Sequence, residues 1–253
     1  MPKINVYLPD ELAEAVREAG IPVSAVCQRS LEQAVRRVAD LRAAVAGRQD
    51  LGEALAHLTA FTGRARAVLA RAVEQARAQE APAVTSAHLL GGLVAERTNL
   101  ALHVLRAVDV DPDRLGSELT RRPAGEPPVP GAAPGILAFS APAAAVLHLA
   151  VTEAISLDHN YVGGEHLLLG LAAEPDGAGG AVLRDAGADH RGLRRAVGAA
   201  VAGYAHLRAQ QGAGQAPALQ AAVADAVRQQ LAPVIERLGA VEERLERAER
   251  SSA

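Results

Sequence analysis

The sequence predicts an all-α protein: two four-helix repeats in a pseudo-twofold arrangement, with a short strand-helix-helix unit before them and a C-terminal coiled-coil helix after them. Three observations carry this expectation. Of 253 residues 49% are hydrophobic, yet only two are Phe, three are Tyr and none is Trp, while 57 are alanine. An aromatic side chain buries about 150–250 Å² and an alanine only a methyl, so thin alanine-seamed helical layers are expected in place of one thick core. A shift of 78 lays residues 61–119 on 139–197 without a gap, with 21 of 59 positions identical. Apolar residues recur at helical spacing through most of the chain.

The first element is the exception. Residues 3–8 alternate, with Lys3, Asn5 and Tyr7 on one face and Ile4, Val6 and Leu8 on the other, the period of a strand. From Pro9 and Asp10 the period is helical, with Leu12, Ala15, Val16 and Ala19 on one stripe and Gly20 closing it. Pro22 and Ser24 open a second helix, with Ser24 the expected N-cap and Val26, Cys27, Leu31, Ala34, Val35 and Val38 the stripe. A lone strand has unpaired edges and so short a segment has no core of its own, so residues 1–38 are expected to pair with another copy. Residues 39–58 read as a helical connector broken by Gly47 and Gly52.

The double repeat is assigned to residues 59–203. Each unit reads as a long helix (about 62–79 in the first), a loop, a helix opening at Thr85 or Gly163, and two shorter helices. Shared positions include Phe61/Phe139, Val84/Val162, His88/His166 and Gly92/Gly170. Between the units, residues 121–135 (RRPAGEPPVPGAAPG) form a linker that cannot be helical. Residues 204–253 hold a Gln/Gly/Ala stretch and a final helix. In it Val227, Leu231, Val234, Leu238, Val241, Leu245 and Ala248 make a heptad seam that would dimerise the chain, with a kink at Pro233.

Composition removes several function classes. A net charge of −3 implies no general field for polyanions, so any nucleic-acid contact must be local. Five aromatics do not make a base-stacking platform. The only lysine is Lys3, so no G-x-x-x-x-G-K-[ST] phosphate loop exists and no ATPase module is expected. Cys27 is the single cysteine, which excludes an internal disulfide and a Cys-based zinc site and suits a reducing compartment; on its stripe it reads as a small core residue. No apolar run approaches the length of a membrane span, and the first 20 residues hold charges throughout, so a cytoplasmic location is expected. His88 and His166 recur at one helix position with no second ligand four residues on, which fits a buried structural hydrogen bond better than a metal. The expectation is a protein with no catalysis, cofactor or metal.

The segment 3–38 resembles the ribbon-helix-helix family, whose dimers lay an antiparallel ribbon in the DNA major groove. The resemblance implies Lys3, Asn5 and Tyr7 as base readers and Val23–Ser24 as a phosphate-gripping helix start. Local charge speaks for a dimerisation unit without DNA: Lys3, Arg17, Arg29, Arg36 and Arg37 are offset by Asp10, Glu11, Glu14, Glu18, Glu32 and Asp40.

The segments FTGRARAVLARAVEQA, FSAPAAAVLHLAVTEA and LDHNYVGGEHLLLGL resemble the double Clp N-terminal repeat domain at the front of ClpA and ClpC type unfoldases. The resemblance implies a non-catalytic docking domain that binds substrates and adaptors, with a ClpC-type unfoldase, its adaptors or its substrates as partners. Some members recognise phosphorylated arginine once per repeat: a carboxylate forks the guanidinium while a hydroxyl and helix-start N–H groups take the phosphate. Carried over, Glu165 is the carboxylate and Ser140 the hydroxyl of the second repeat. In the first repeat Thr62 is kept, but Ala87 replaces the carboxylate, so that site is expected to be dead. Gly164 stands where the family usually has Thr. The plainer role of Glu165 is to stabilise the first turn of its helix. A second family surface, for adaptors and cyclic peptides, implies Leu58, Phe61 and Phe139, residues that equally suit core anchors. The function so implied is an adaptor-like or sequestering partner of the ClpC/ClpP system; the alternative is a ribbon-helix-helix DNA-binding regulator with the repeats as its sensor.

Overall fold

The structure, a computed structural model, describes residues 5, 7–121 and 125–202. One compact unit ends at Val197 and a second begins at Gly198. The coiled-coil seam 227–248 lies outside the described residues, as do Tyr204, Lys3, Ile4 and Val6; Asn5, Tyr7 and Leu8 carry no regular structure.

Helix α1 (Asp10–Glu18) begins after Pro9, with Asp10 and Glu11 complementing its positive end, and Gly20 leaves it at φ +63°. Helix α2 (Val23–Val45) starts two residues earlier than expected. Pro22 holds the N-cap position with no side-chain cap, so Ser24 is the second helical residue and not the cap. The proline already sits at φ −76°, close to the helical value, so the chain can turn into the helix directly behind it. With no Gly or Pro before Gly47, α2 runs through position 38, where a domain boundary was expected, and its end buries Leu41, Ala44 and Val45. Its first half buries little: Val26, Leu31 and Val35 are 50–66% exposed, and Cys27 is half-buried, not core. Helix α3 (Leu51–Ala56) is capped by Asp50, which accepts the Gly52 N–H at 2.7 Å.

The first repeat comprises α4 (Gly63–Ala78), α5 (Ser86–Glu96), α6 (Leu100–Ala107) and α7 (Pro112–Arg121); the second comprises α8 (Ala141–Ser156), α9 (Gly164–Ala173), α10 (Ala178–Asp185) and a helical segment from residue 190. The opening helices are capped alike: the Thr62 hydroxyl accepts the Ala65 N–H and the Ser140 hydroxyl accepts the Ala143 N–H, both at 3.1 Å. Their buried faces are also alike, Ala65, Val68, Leu69, Ala72, Val73 and Ala76 in α4 answering Ala143, Val146, Leu147, Ala150, Val151 and Ala154 in α8. These seams let helices approach to backbone contact. A Cβ on Gly92 would lie 2.4 Å from the Val68 carbonyl oxygen, and one on Gly170 would lie 2.4 Å from that of Val146. Helix α9 is buried on all sides from Gly164 to Ala172 and packs against α5.

The repeats are stitched crosswise. Strand β1 (Ala83–Val84) pairs in parallel with β2 (Ala138–Phe139), in the register Ala83↔Ala138 and Val84↔Phe139. A parallel bridge joins Phe61 to Val162. The 78-residue shift turns one pairing into the other, so each repeat's opening segment lies along its neighbour's second-helix start. The linker returns along the same place, with the Val129 N–H donating to the Phe139 carbonyl at 2.9 Å and the Ala133 N–H to that of Gly47 at 2.9 Å.

Candidate functional site

The crosswise stitching decides which hydroxyl meets which helix start. The Thr62 N–H donates to the Val162 carbonyl at 2.9 Å, and the Ser140 N–H to the Val84 carbonyl at 2.9 Å. Thr62 therefore stands by the start of α9, where Glu165 lies, and Ser140 by the start of α5, where Ala87 lies. The expected grouping of Glu165 with Ser140 inside one repeat is corrected, because the opening segments are exchanged between repeats.

At the α9 start Glu165 is only 4% exposed. Its carboxylate lies near its own N–H and the Tyr161 hydroxyl, stands 3.4 Å from His166 Nδ1 and folds back over the N-cap, where a Cβ added to Gly163 would collide with Oε1. Burial pushes the Glu165 carboxyl above its ordinary value, against the pull of its own N–H, His159 and Tyr161. Tyr161 is pushed up by burial and by the Glu165 charge. Gly164 faces Asn99, whose Cβ would lie 3.0 Å from an added Cβ; Asn99 caps α6.

Beneath Glu165 lies a chain of rings. His166 is fully buried, and its Nδ1 accepts the Gly163 N–H at 2.9 Å. Its Nε2 must then carry the proton, which it donates to His159 Nδ1 at 2.8 Å. His159 stacks on Tyr161, centroids 5.3 Å apart. Burial, helped by His159 and Arg37, pushes His166 down to about 3. His88 is its counterpart: Nδ1 accepts the Thr85 N–H at 3.0 Å and Nε2 faces Gln79 Oε1 at 3.0 Å. Each histidine accepts the N–H of its N-cap from the third residue of its helix, the buried hydrogen bond expected from their recurrence; at α5 Thr85 completes a capping box, whereas Gly163 at α9 has no side chain to return the bond. Among the described residues His159, Glu165 and His166 bring potential metal-ligating atoms within 4.8 Å of one another. The arrangement suits a proton and not an ion: both His166 nitrogens are committed, and 2.8 Å is closer than the ~3.3 Å that two nitrogens keep around a tetrahedral metal.

At the α5 start the carboxylate comes from elsewhere. Glu126, in the linker, accepts from four donors: the Ser86 N–H (2.9 Å) and the Ser140 hydroxyl on Oε2, the Ser86 hydroxyl (2.5 Å) and the Ala178 N–H (2.9 Å) on Oε1. Sequence reasoning took the linker as featureless; the available signal was one acidic residue alone in a Pro/Gly run. It also passed over Glu96 and Glu174, which the repeat shift aligns. Glu96 holds the Thr98 and Asn99 donors ahead of α6, and Glu174 the Asp176 and Gly177 N–H groups ahead of α10.

The remaining expected residues fare differently. Leu58, Phe61 and Phe139 are 1%, 3% and 0% exposed, so the docking surface expected of them is corrected: they are core anchors at the exchanged segments. Asn5, Tyr7 and Ser24 are exposed. No helix among the described residues is long and apolar enough to cross a membrane.

Comparison with known proteins follows this geometry. The model of the Clp repeat (R) N-terminal domain family matches residues 60–139 and 138–233. An uncharacterized protein of Mycobacterium tuberculosis is 39% identical over 120 residues, 47% of this chain and 45% of that protein. The chloroplastic ClpA homolog of Brassica napus, an ATP-dependent Clp protease ATP-binding subunit, is 34% identical over 155 residues, 60% of this chain and 17% of that protein. The chain thus spans less than half the length of these relatives. The crystal structure of the N-terminal domain of the chaperone ClpD from Arabidopsis thaliana covers 54% of this chain and 91% of that domain, at 24% identity and a TM-score of 0.43. With two family matches spanning most of its length, the chain belongs to the Clp repeat (R) N-terminal domain family.

Proposed function

We propose that this chain is a non-catalytic binding module of the Clp system, which takes peptides or degradation tags and delivers them to a ClpC-type unfoldase with its ClpP protease, or withholds them from it. The observation that carries this reading is the backbone pairing of Thr62 with Val162, which brings the N-cap of α4 to the segment that opens α9, three residues ahead of Glu165. A shielded carboxylate and a hydroxyl brought to one helix start suit a guanidinium that carries a phosphate, the chemistry of phosphorylated arginine. Calorimetry of the full chain with phosphoarginine tests this. Glu165→Ala is expected to weaken binding at least tenfold, and unchanged affinity would remove the assignment. Absence of heat with the folded wild-type chain would remove the ligand class.

The N-terminal segment supports a second element of the reading. Leu12, Val26, Leu31 and Val35 are exposed apolar side chains of α1 and α2, suited to a second copy of the chain, with residues 3–8 as the shared ribbon and the 227–248 seam as a further contact. Such a dimer could read DNA through Lys3, Asn5, Tyr7 and Ser24. A salt-dependent shift of a palindromic duplex, lost in Lys3→Ala with Asn5→Ala, would favour the regulator; no shift at low salt leaves a dimer handle. A cytoplasmic location accords with these partners.

A further inference from the structure

We propose that Glu126 is a built-in occupant of an oxyanion seat, so that the linker gates the α5 groove. Four donors from three separate places in the chain converge on this one carboxylate. Two are N–H groups in the first turns of α5 and α10, Ser86 and Ala178, and two are hydroxyls. Both hydroxyls are fully buried, and both have their accepting side already used: Ser86 Oγ accepts the Gly179 N–H at 2.9 Å and Ser140 Oγ the Ala143 N–H at 3.1 Å. Their protons are thereby aimed at the seat. The site is prebuilt by two helix starts and an N-cap, and the four donors that meet Glu126 are neutral N–H and O–H groups.

The related place at α9 differs. The repeat shift matches Ser86 to Gly164, Ser140 to Thr62 and Ala178 to Leu100, so one of the two hydroxyls is missing there. The fully furnished seat is thus the one that lacks a family carboxylate, at Ala87, and that the linker fills. When the segment 125–129 lifts off, the seat takes an oxyanion of an incoming chain, either a phosphorylated side chain or a terminal carboxylate. This inference rests on the reading proposed for the α9 start, that a helix start of this domain takes an oxyanion, and extends it to the α5 start. A tethered carboxylate acts at an effective concentration of about millimolar, so the seat stays closed to weak anions.

The test uses the full chain as wild type, Glu126→Ala, Glu126→Gln, and Glu126→Ala combined with Ser86→Ala and Ser140→Ala. Inorganic phosphate and acetate are titrated separately while the Ser86 and Ala178 amide resonances are followed, with circular dichroism reporting the fold. Removing the occupant is expected to raise apparent phosphate affinity about tenfold or more over wild type, and the hydroxyl-less variant to lose that gain. Glu126→Gln, with one acceptor and no charge, is expected to fall between, and stands in if Glu126→Ala does not fold. Folded Glu126 variants that answer neither anion, or a wild type that binds as tightly as they do, would overturn the proposal. A response to phosphate alone points to phosphorylated side chains; an equal or stronger response to acetate points to a chain terminus. Phosphoarginine binding at Glu165 is read separately, so failure of this proposal is distinguishable from failure of that reading.

Discussion

His166 should make the folded chain acid-sensitive by an amount that one substitution can isolate. In the unfolded chain it titrates near 6.5, whereas burial holds it at about 3 in the fold, where its Nδ1 must accept the Gly163 N–H. Between those values the unfolded state binds one more proton. The fold is therefore unaffected above pH 6.5 and loses about 1.4 kcal/mol per pH unit below it. At pH 5 the loss from this residue is about 2 kcal/mol, a sizeable part of a stability of about 5–15 kcal/mol. His166→Gln keeps an acceptor for Gly163 and a donor for His159, glutamine being an ordinary capping-box residue at this position, but it does not titrate. Urea unfolding of both proteins at pH 7 and pH 5 gives the comparison. The variant is expected to be less stable at pH 7 through imperfect packing, and to lose about 2 kcal/mol less than wild type on going to pH 5. His88, also held below its ordinary value, contributes equally to both chains. Equal acid losses in the two proteins would refute the assignment of His166 as a buried neutral acceptor.

Other perturbations test other layers of the same construction. Gly92→Ala and Gly170→Ala each push a methyl against a carbonyl oxygen and should cost about 1–3 kcal/mol in thermal or denaturant unfolding. Thr62→Ala removes one cap and should cost about 1 kcal/mol, whereas Ser140→Ala, which also removes a donor to Glu126, should cost more. Leu31→Gln with Val35→Gln should leave monomer stability within about 0.5 kcal/mol yet shift sedimentation toward the monomer if α2 is a dimer face.

The helices of both repeats were legible because their signals are local. Thr85 and Gly163 as helix starts, the Ala/Val/Leu stripes and the recurring histidines lie within a few residues of their effects. What escaped was tertiary. Phe61 and Val162, or Val84 and Phe139, are separated by long stretches of chain, and a two-residue strand has no periodicity to detect. That missing pairing also misassigned Ser140 to Glu165, since same-repeat grouping was the natural assumption. Glu126 was invisible for a related reason: its partners come from α5, α8 and α10, and nothing in a Pro/Gly run marks which residue turns inward. The N-cap expected at Ser24 failed at a finer scale, where Pro22 alone was enough to begin α2.

The exchange of opening segments has a consequence for how the two halves can evolve. In a simple tandem duplication each copy owns its groove, and either can decay without harm to the other. Here each groove is the joint property of both copies, so a change near Phe61 is felt at the α9 start and one near Phe139 at the α5 start. The halves are bound into shared ownership as the subunits of a homodimer are, and what remains free to diverge is the furnishing of each groove. One groove kept its carboxylate in the helix, at Glu165; the other takes its carboxylate from the joining strand, at Glu126, a position that a lone repeat would not contain.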